Sequence, residues 1–79
     1  MNASHDFDES QILTERNKHE SWLNLQPGLA GTGVGIGRNG KVCLKIYTNG
    51  MQVETKQAIS LVLSRLPVEF EETGEFHAF

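Results

Sequence analysis

Apolar and polar positions change rhythm three times along the chain, and each rhythm predicts an element. From Glu9 to Leu25 the apolar residues Ile12, Leu13, Trp22, Leu23 and Leu25 stand at the two ends of a polar middle that runs from Thr14 to Ser21. Glu15, Arg16, Lys18 and Glu20 favour a helix, and Asp8 or Ser10 can cap it. The pattern predicts a helix anchored at both ends and solvated between them, closed by Pro27-Gly28. Residues 1–8 have no period and are expected to be a disordered N-terminus, leaving 9–79 as a single domain.

The second rhythm has period two. Glycine occupies every second position from Gly31 to Gly37, and Lys41-Val-Cys-Leu-Lys-Ile-Tyr47 is rich in strand formers. Between them Asn39-Gly40 signals a two-residue type I′ hairpin turn. That turn sets Ile36 opposite Cys43, Gly35 opposite Leu44, Val34 opposite Lys45 and Gly33 opposite Ile46. One face then carries Val42, Leu44 and Ile46 beside bare glycine, and the other carries Thr32, Val34, Ile36, Cys43, Lys45 and Tyr47. Glycine weakens a strand, so four at this spacing imply something bulky lying close against the backbone.

The third rhythm is helical again. Over 52–65, Thr55, Ala58, Ile59, Val62 and Leu66 share one face, with Leu61 and Leu63 flanking it, until Pro67 ends the helix. Small Thr55 and Ala58 suit a close approach to the glycines, so this helix is expected on the glycine face of the hairpin. Alanine at Gly33 or Gly35 is accordingly expected to clash with it. Val68-Glu-Phe-Glu-Glu-Thr73 then alternates as a half-buried strand, and residues 75–79 are a short last strand or a docked tail.

The expected class is α+β, in the order α-β-β-α-β, with a three-stranded sheet. The third strand can lie beside the first (2-1-3) or beside the second (1-2-3). The order 2-1-3 is favoured because it protects the glycine strand as the centre, whereas 1-2-3 sets Glu69 and Glu71 near Lys41 and Lys45.

Composition narrows the function. A chain of this length stabilises one small core and often gains from a partner subunit. The single cysteine, Cys43, excludes an internal disulfide. A net charge of −3 and a pI near 5.5 argue against a general phosphate-backbone binder. The charge is segregated, with acidic ends flanking a basic middle over 28–66. No apolar run approaches membrane-spanning length, so no membrane association and a cytoplasmic location are expected.

Candidate chemistry is sparse. Gly35-Ile-Gly37-Arg-Asn-Gly40 matches G-x-G-x-x-G, but a strand follows it where a dinucleotide fold needs a helix. Cys43 as a nucleophile lacks a neighbouring base, His19 lies in the polar part of the first helix, and no cofactor motif appears. His5, Asp6, Asp8 and Glu9 resemble an ordinary acidic terminus more than a metal site. No enzyme, cofactor or metal is expected. Arg38, Lys41, Lys45 and Tyr47 share the outer hairpin face, a combination suited to nucleic acid or another anionic ligand. Val34 and Ile36 on that same face favour a protein interface instead.

Lys18-His-Glu-Ser-Trp-Leu-Asn-Leu-Gln-Pro27-Gly-Leu-Ala-Gly-Thr-Gly-Val-Gly35, together with Leu66-Pro-Val-Glu-Phe-Glu-Glu-Thr-Gly74, resembles the N-terminal module of a group of bacterial trypsin-like peptidase proteins. In that module a charged helix leads through a Pro turn into a Val-Gly strand, and a Pro-Val strand closes it. The resemblance covers about residues 16–76. This chain departs from the pattern in carrying a helix at 52–65 where the module has a longer Pro-rich segment. No catalytic residue transfers, and the resemblance implies a small accessory domain, expected here to stand free of a protease domain.

The expected function is therefore a non-enzymatic protein-interaction domain that self-associates as a homodimer or adapts to a peptidase or another enzyme. The candidate interface is Trp22, Val34, Ile36, Arg38, Lys45 and Tyr47. The alternative is an anionic-ligand binder using the basic hairpin face.

Overall fold

The computed structural model describes residues 7–73. The first helix, α1 (Glu9–Lys18), opens on a capping box. The Asp8 carboxylate accepts the Gln11 N–H at 2.8 Å, and Gln11 Oε1 accepts the Asp8 N–H at 2.8 Å. The helix predicted over 9–25 breaks at His19 and resumes as the single turn α2 (Glu20–Leu23). The break falls in the polar middle, where no apolar face holds the backbone against a neighbour. Ile12 and Leu23, at the two ends, are buried.

The next two elements are strands β1 (Leu29–Ile36) and β2 (Val42–Thr48), paired antiparallel. Their register corrects the expected one by a single residue. Val34 faces Leu44, Gly35 faces Cys43 and Gly33 faces Lys45. The turn between them is a three-residue loop, not a type I′ turn. The Gly37 N–H donates to the Lys41 carbonyl at 2.8 Å, and the Gly40 N–H donates to the Gly37 carbonyl at 2.9 Å. Gly40 sits at φ +80°, as the left-handed residue of a type I turn with a G1 bulge requires. The Asn39 side chain accepts the Lys41 N–H at 3.0 Å, a local bond that supports the longer loop.

Burial explains why this register wins. It places Val34 and Ile36 on the same face as Val42, Leu44 and Ile46, whereas a two-residue turn would split the apolar residues between the two faces. Gly31, Gly33, Gly35 and Gly37 consequently move to the opposite face. The third helix, α3 (Val53–Val62), packs on the apolar side, so it does not lie on the glycine face as the sequence reading expected. Its buried residue is Ile59, followed by Leu63 and Leu66 just beyond its end, while Val62 turns outward.

Strand β3 (Val68–Glu72) pairs parallel to β2, with Leu44 facing Val68 and Lys45 facing Glu69. The sheet order is β1-β2-β3, which corrects the favoured 2-1-3 within the same α+β class. The most apolar strand takes the centre, and its Lys45 stands directly across from an acid on β3. A glycine strand has few side chains with which to hold neighbours on both flanks. Ile12, Leu23, Leu44, Ile46, Met51, Ile59, Leu63 and Leu66 form the buried core between helices and sheet. At one end of it the buried Thr48 hydroxyl donates to Glu72 Oε1 at 2.8 Å, and Glu72 Oε2 accepts the Gly50 N–H at 2.9 Å.

The expected last strand or tail over 75–79 lies outside the described residues, as do residues 1–6 of the stretch 1–8 expected to be disordered. The end of that stretch is ordered, with Phe7 packed against the core and Asp8 capping α1.

Candidate functional site

The helices cover one face of the sheet. Among the described residues, the opposite face carries no packed element, and it is built from β1 glycines, Cys43, Lys45 and Tyr47 of β2, and Glu69 and Glu71 of β3. Lys45 is its hub. The ammonium donates to Glu71 Oε2 at 2.9 Å and to Glu69 Oε1 at 3.1 Å. The second oxygen of Glu69 accepts the Arg38 N–H at 2.8 Å, so the carboxylate ties β3 to the hairpin loop. The hydrogen bonds from Lys45 to Glu71 and Glu69 push the lysine up to about 12. The Arg38 N–H, and then Lys45, hold Glu69 below the ordinary carboxylate value.

The glycines form the floor under this network. A Cβ at Gly35 would lie 3.2 Å from Lys45 Cγ, and one at Gly37 would lie 2.5 Å from Glu69 Oε2. Gly33 lies under the edge of the Tyr47 ring, at 3.7 Å by the same construction, and Gly31 has nothing within 4 Å. The close neighbour implied by the glycine spacing is thus the row of side chains leaning over from β2 and β3. Cys43, buried at 3% exposure, lies beside Gly37. Burial, and then the Glu69 charge, push its thiol up, away from the thiolate a nucleophile needs.

The six candidate interface residues divide among three places. Lys45 and Tyr47 lie on the open face, and Arg38 adjoins it from the loop. Val34 lies on the helix side, packed against the core, and Trp22 is half-buried against that core. Ile36 is also on the helix side, at the edge, and is 61% exposed. Of the basic and aromatic set Arg38, Lys41, Lys45 and Tyr47, Lys45 has its charge engaged by two glutamates.

Sequence reasoning missed the free edge of β1. Because the Gly37 N–H bonds to Lys41, the hydrogen-bonded pairs with β2 alternate back through Gly35 and Gly33. The N–H and C=O groups of Thr32, Val34 and Ile36 therefore point away from β2, and among the described residues no strand pairs with them. The signal for the correct register was present in the sequence, since only one register puts both strands' apolar residues on one face.

Among the described residues no group of His, Cys, Asp and Glu side chains is arranged to hold a metal ion. His5 and Asp6 of the acidic terminus lie outside them, and Asp8 is engaged as the α1 cap. No helix there is long and apolar enough to cross a membrane. No family model, curated protein or solved structure matches the chain. The resemblance to the peptidase-associated module therefore stands on the quoted residues alone.

Proposed function

We propose that the domain is a non-enzymatic protein-interaction module that self-associates. The observation that carries this reading is a sheet that, among the described residues, is covered by helices on one face only, with an uncharged strand, Leu29–Ile36, at its edge. Natural sheets guard such edges with charges, proline or covering elements, because unpaired backbone groups recruit other strands. β3 is guarded by Glu69, Glu71 and Glu72, whereas β1 carries no charged side chain of its own. Among the described residues it meets a charge at Thr32, whose hydroxyl accepts from Arg16 of α1 at 3.0 Å. An accessory role, as the resemblance implies, accords with a domain that offers a surface and brings no assembled reactive group. The one thiol lies buried in a strand, with its proton held by its surroundings.

Light scattering at increasing concentration tests the reading. The expected result is a mass that rises from that of the 8.8 kDa chain toward twice that value. A mass that stays at one chain throughout overturns self-association.

A further inference from the structure

We propose that two copies pair through β1, antiparallel and symmetric about Val34, to make one continuous sheet with three strands from each copy. This rests on the self-association reading above and assigns it a surface and a register. The outward groups set the register. Thr32, Val34 and Ile36 each present N–H and C=O away from β2, so a second β1 can meet them with Val34 opposite Val34 and Thr32 opposite Ile36. Pairs in that alignment exchange both hydrogen bonds.

Side chains and charge fit this pairing. β1 has no ionisable residue of its own. Arg16 of α1 donates to the Thr32 hydroxyl at 3.0 Å and so comes beside Ile36 of the second copy, while Arg38 falls opposite Ala30. In neither place does a like charge stand directly opposite. A β3–β3 pairing would instead oppose acids to acids. On the open face Gly33 of one copy meets Gly35 of the other, leaving the Lys45–Glu69 networks undisturbed. On the helix side Ile36, 61% exposed, comes to lie against Thr32 of its mate, which covers the apolar side chain. The stretch involved is regular, because the one irregularity in the β1–β2 pairing lies before it, between Leu29 and Gly31. A two-fold axis makes the contact self-complementary and closed, so it yields a dimer and not a fibre.

The competing surface is on α3, where Leu61 is 75% exposed near Val53. It lacks the outward-facing backbone groups that fix a register, and it serves as the control.

The test compares the unsubstituted chain with Ile36→Lys, Ile36→Pro and Leu61→Lys by sedimentation and light scattering. Proline is tolerated in an edge strand where its missing N–H faced outward, so Ile36→Pro removes an intermolecular donor and spares the β1–β2 ladder. Far-ultraviolet circular dichroism and Trp22 fluorescence verify that each variant is folded. The expected result is loss of the dimer in both Ile36 variants, at concentrations where the unsubstituted and Leu61→Lys chains remain dimeric. Amide exchange should also slow with concentration at Thr32, Val34 and Ile36, and stay constant at Gly33 and Gly35. A dimer that survives both Ile36 substitutions, or that Leu61→Lys dissolves, overturns the β1 pairing while leaving self-association standing. A chain that never dimerises removes both.

Discussion

Each glycine is decided by what a methyl group would meet, and the answers differ along the strip. At Gly28 the backbone is left-handed, φ +88°, and a Cβ would lie 2.7 Å from the Met51 Cα. Backbone strain alone costs about 1–3 kcal/mol at such a site, and the clash with another backbone adds to it. At Gly37 an added methyl displaces the Glu69 carboxylate from the Arg38 N–H. At Gly35 it presses on the Lys45 stem, which can shift. At Gly33 the contact with Tyr47 is of ordinary length, and at Gly31 the space is open. Alanine substitutions should thus lower the urea midpoint in the order Gly28, Gly37, Gly35. Gly33→Ala and Gly31→Ala should be neutral, or stabilising by up to about 1 kcal/mol through the unfolded chain. If α3 covered the glycines, Gly33→Ala and Gly35→Ala would instead be the most damaging of the series.

At the scale of elements, legibility depended on how many residues voted. The helix predicted over 52–65 and the strand over 68–73 were readable because a whole periodic pattern supported each. The hairpin register turned on two residues, Asn39 and Gly40, whose preference for a tight turn gave way to burial of Val34 beside Leu44 and Ile46. The same slip moved Val34 and Ile36 out of the outer-face site and placed the glycines beneath Lys45 and Glu69. The strand order was legible only as an alternative, through the charges on Lys45, Glu69 and Glu71. The start of α3 shows a further consequence of sequence choice. Gln52 occupies the N-cap with extended backbone, φ −76° and ψ 156°, yet its side chain makes no capping bond. Serine there supplies an oxygen that reaches the exposed N–H groups of the first turn. Gln52→Ser should raise stability by about 0.5–1 kcal/mol in urea unfolding. No gain would mean that water already serves those donors as well as a side chain does.

For the whole molecule, the charged groups of the open face together with the α1 cap set how stability varies with pH. Glu69 is held low by the Arg38 N–H and Lys45, and Asp8 is held low by the Gln11 N–H and the Ser10 hydroxyl. The stability these groups contribute is complete above the ordinary carboxylate range and is lost as pH falls through their lowered values. On the alkaline side two groups act in the same sense. The Cys43 thiol is raised above its ordinary value of 9.0 by burial and by Glu69, so the unfolded chain releases that proton first. Stability therefore declines once pH exceeds about 9. Lys45, raised from 10.5 to about 12, adds a second decline that begins above 10.5. Removing the thiol should separate the two. Cys43→Ala lowers the general level by leaving a small void, but its stability should stay flat to about pH 10.5 where the unsubstituted chain is already falling. The acid limb should be unchanged, because Cys43 does not titrate there. The measurement is the urea midpoint against pH for both chains, compared by shape and not by height. An alkaline decline that begins at the same pH in both would mean that Cys43 does not hold its proton through burial. The open face would then be wetter around Gly37 than its packing implies.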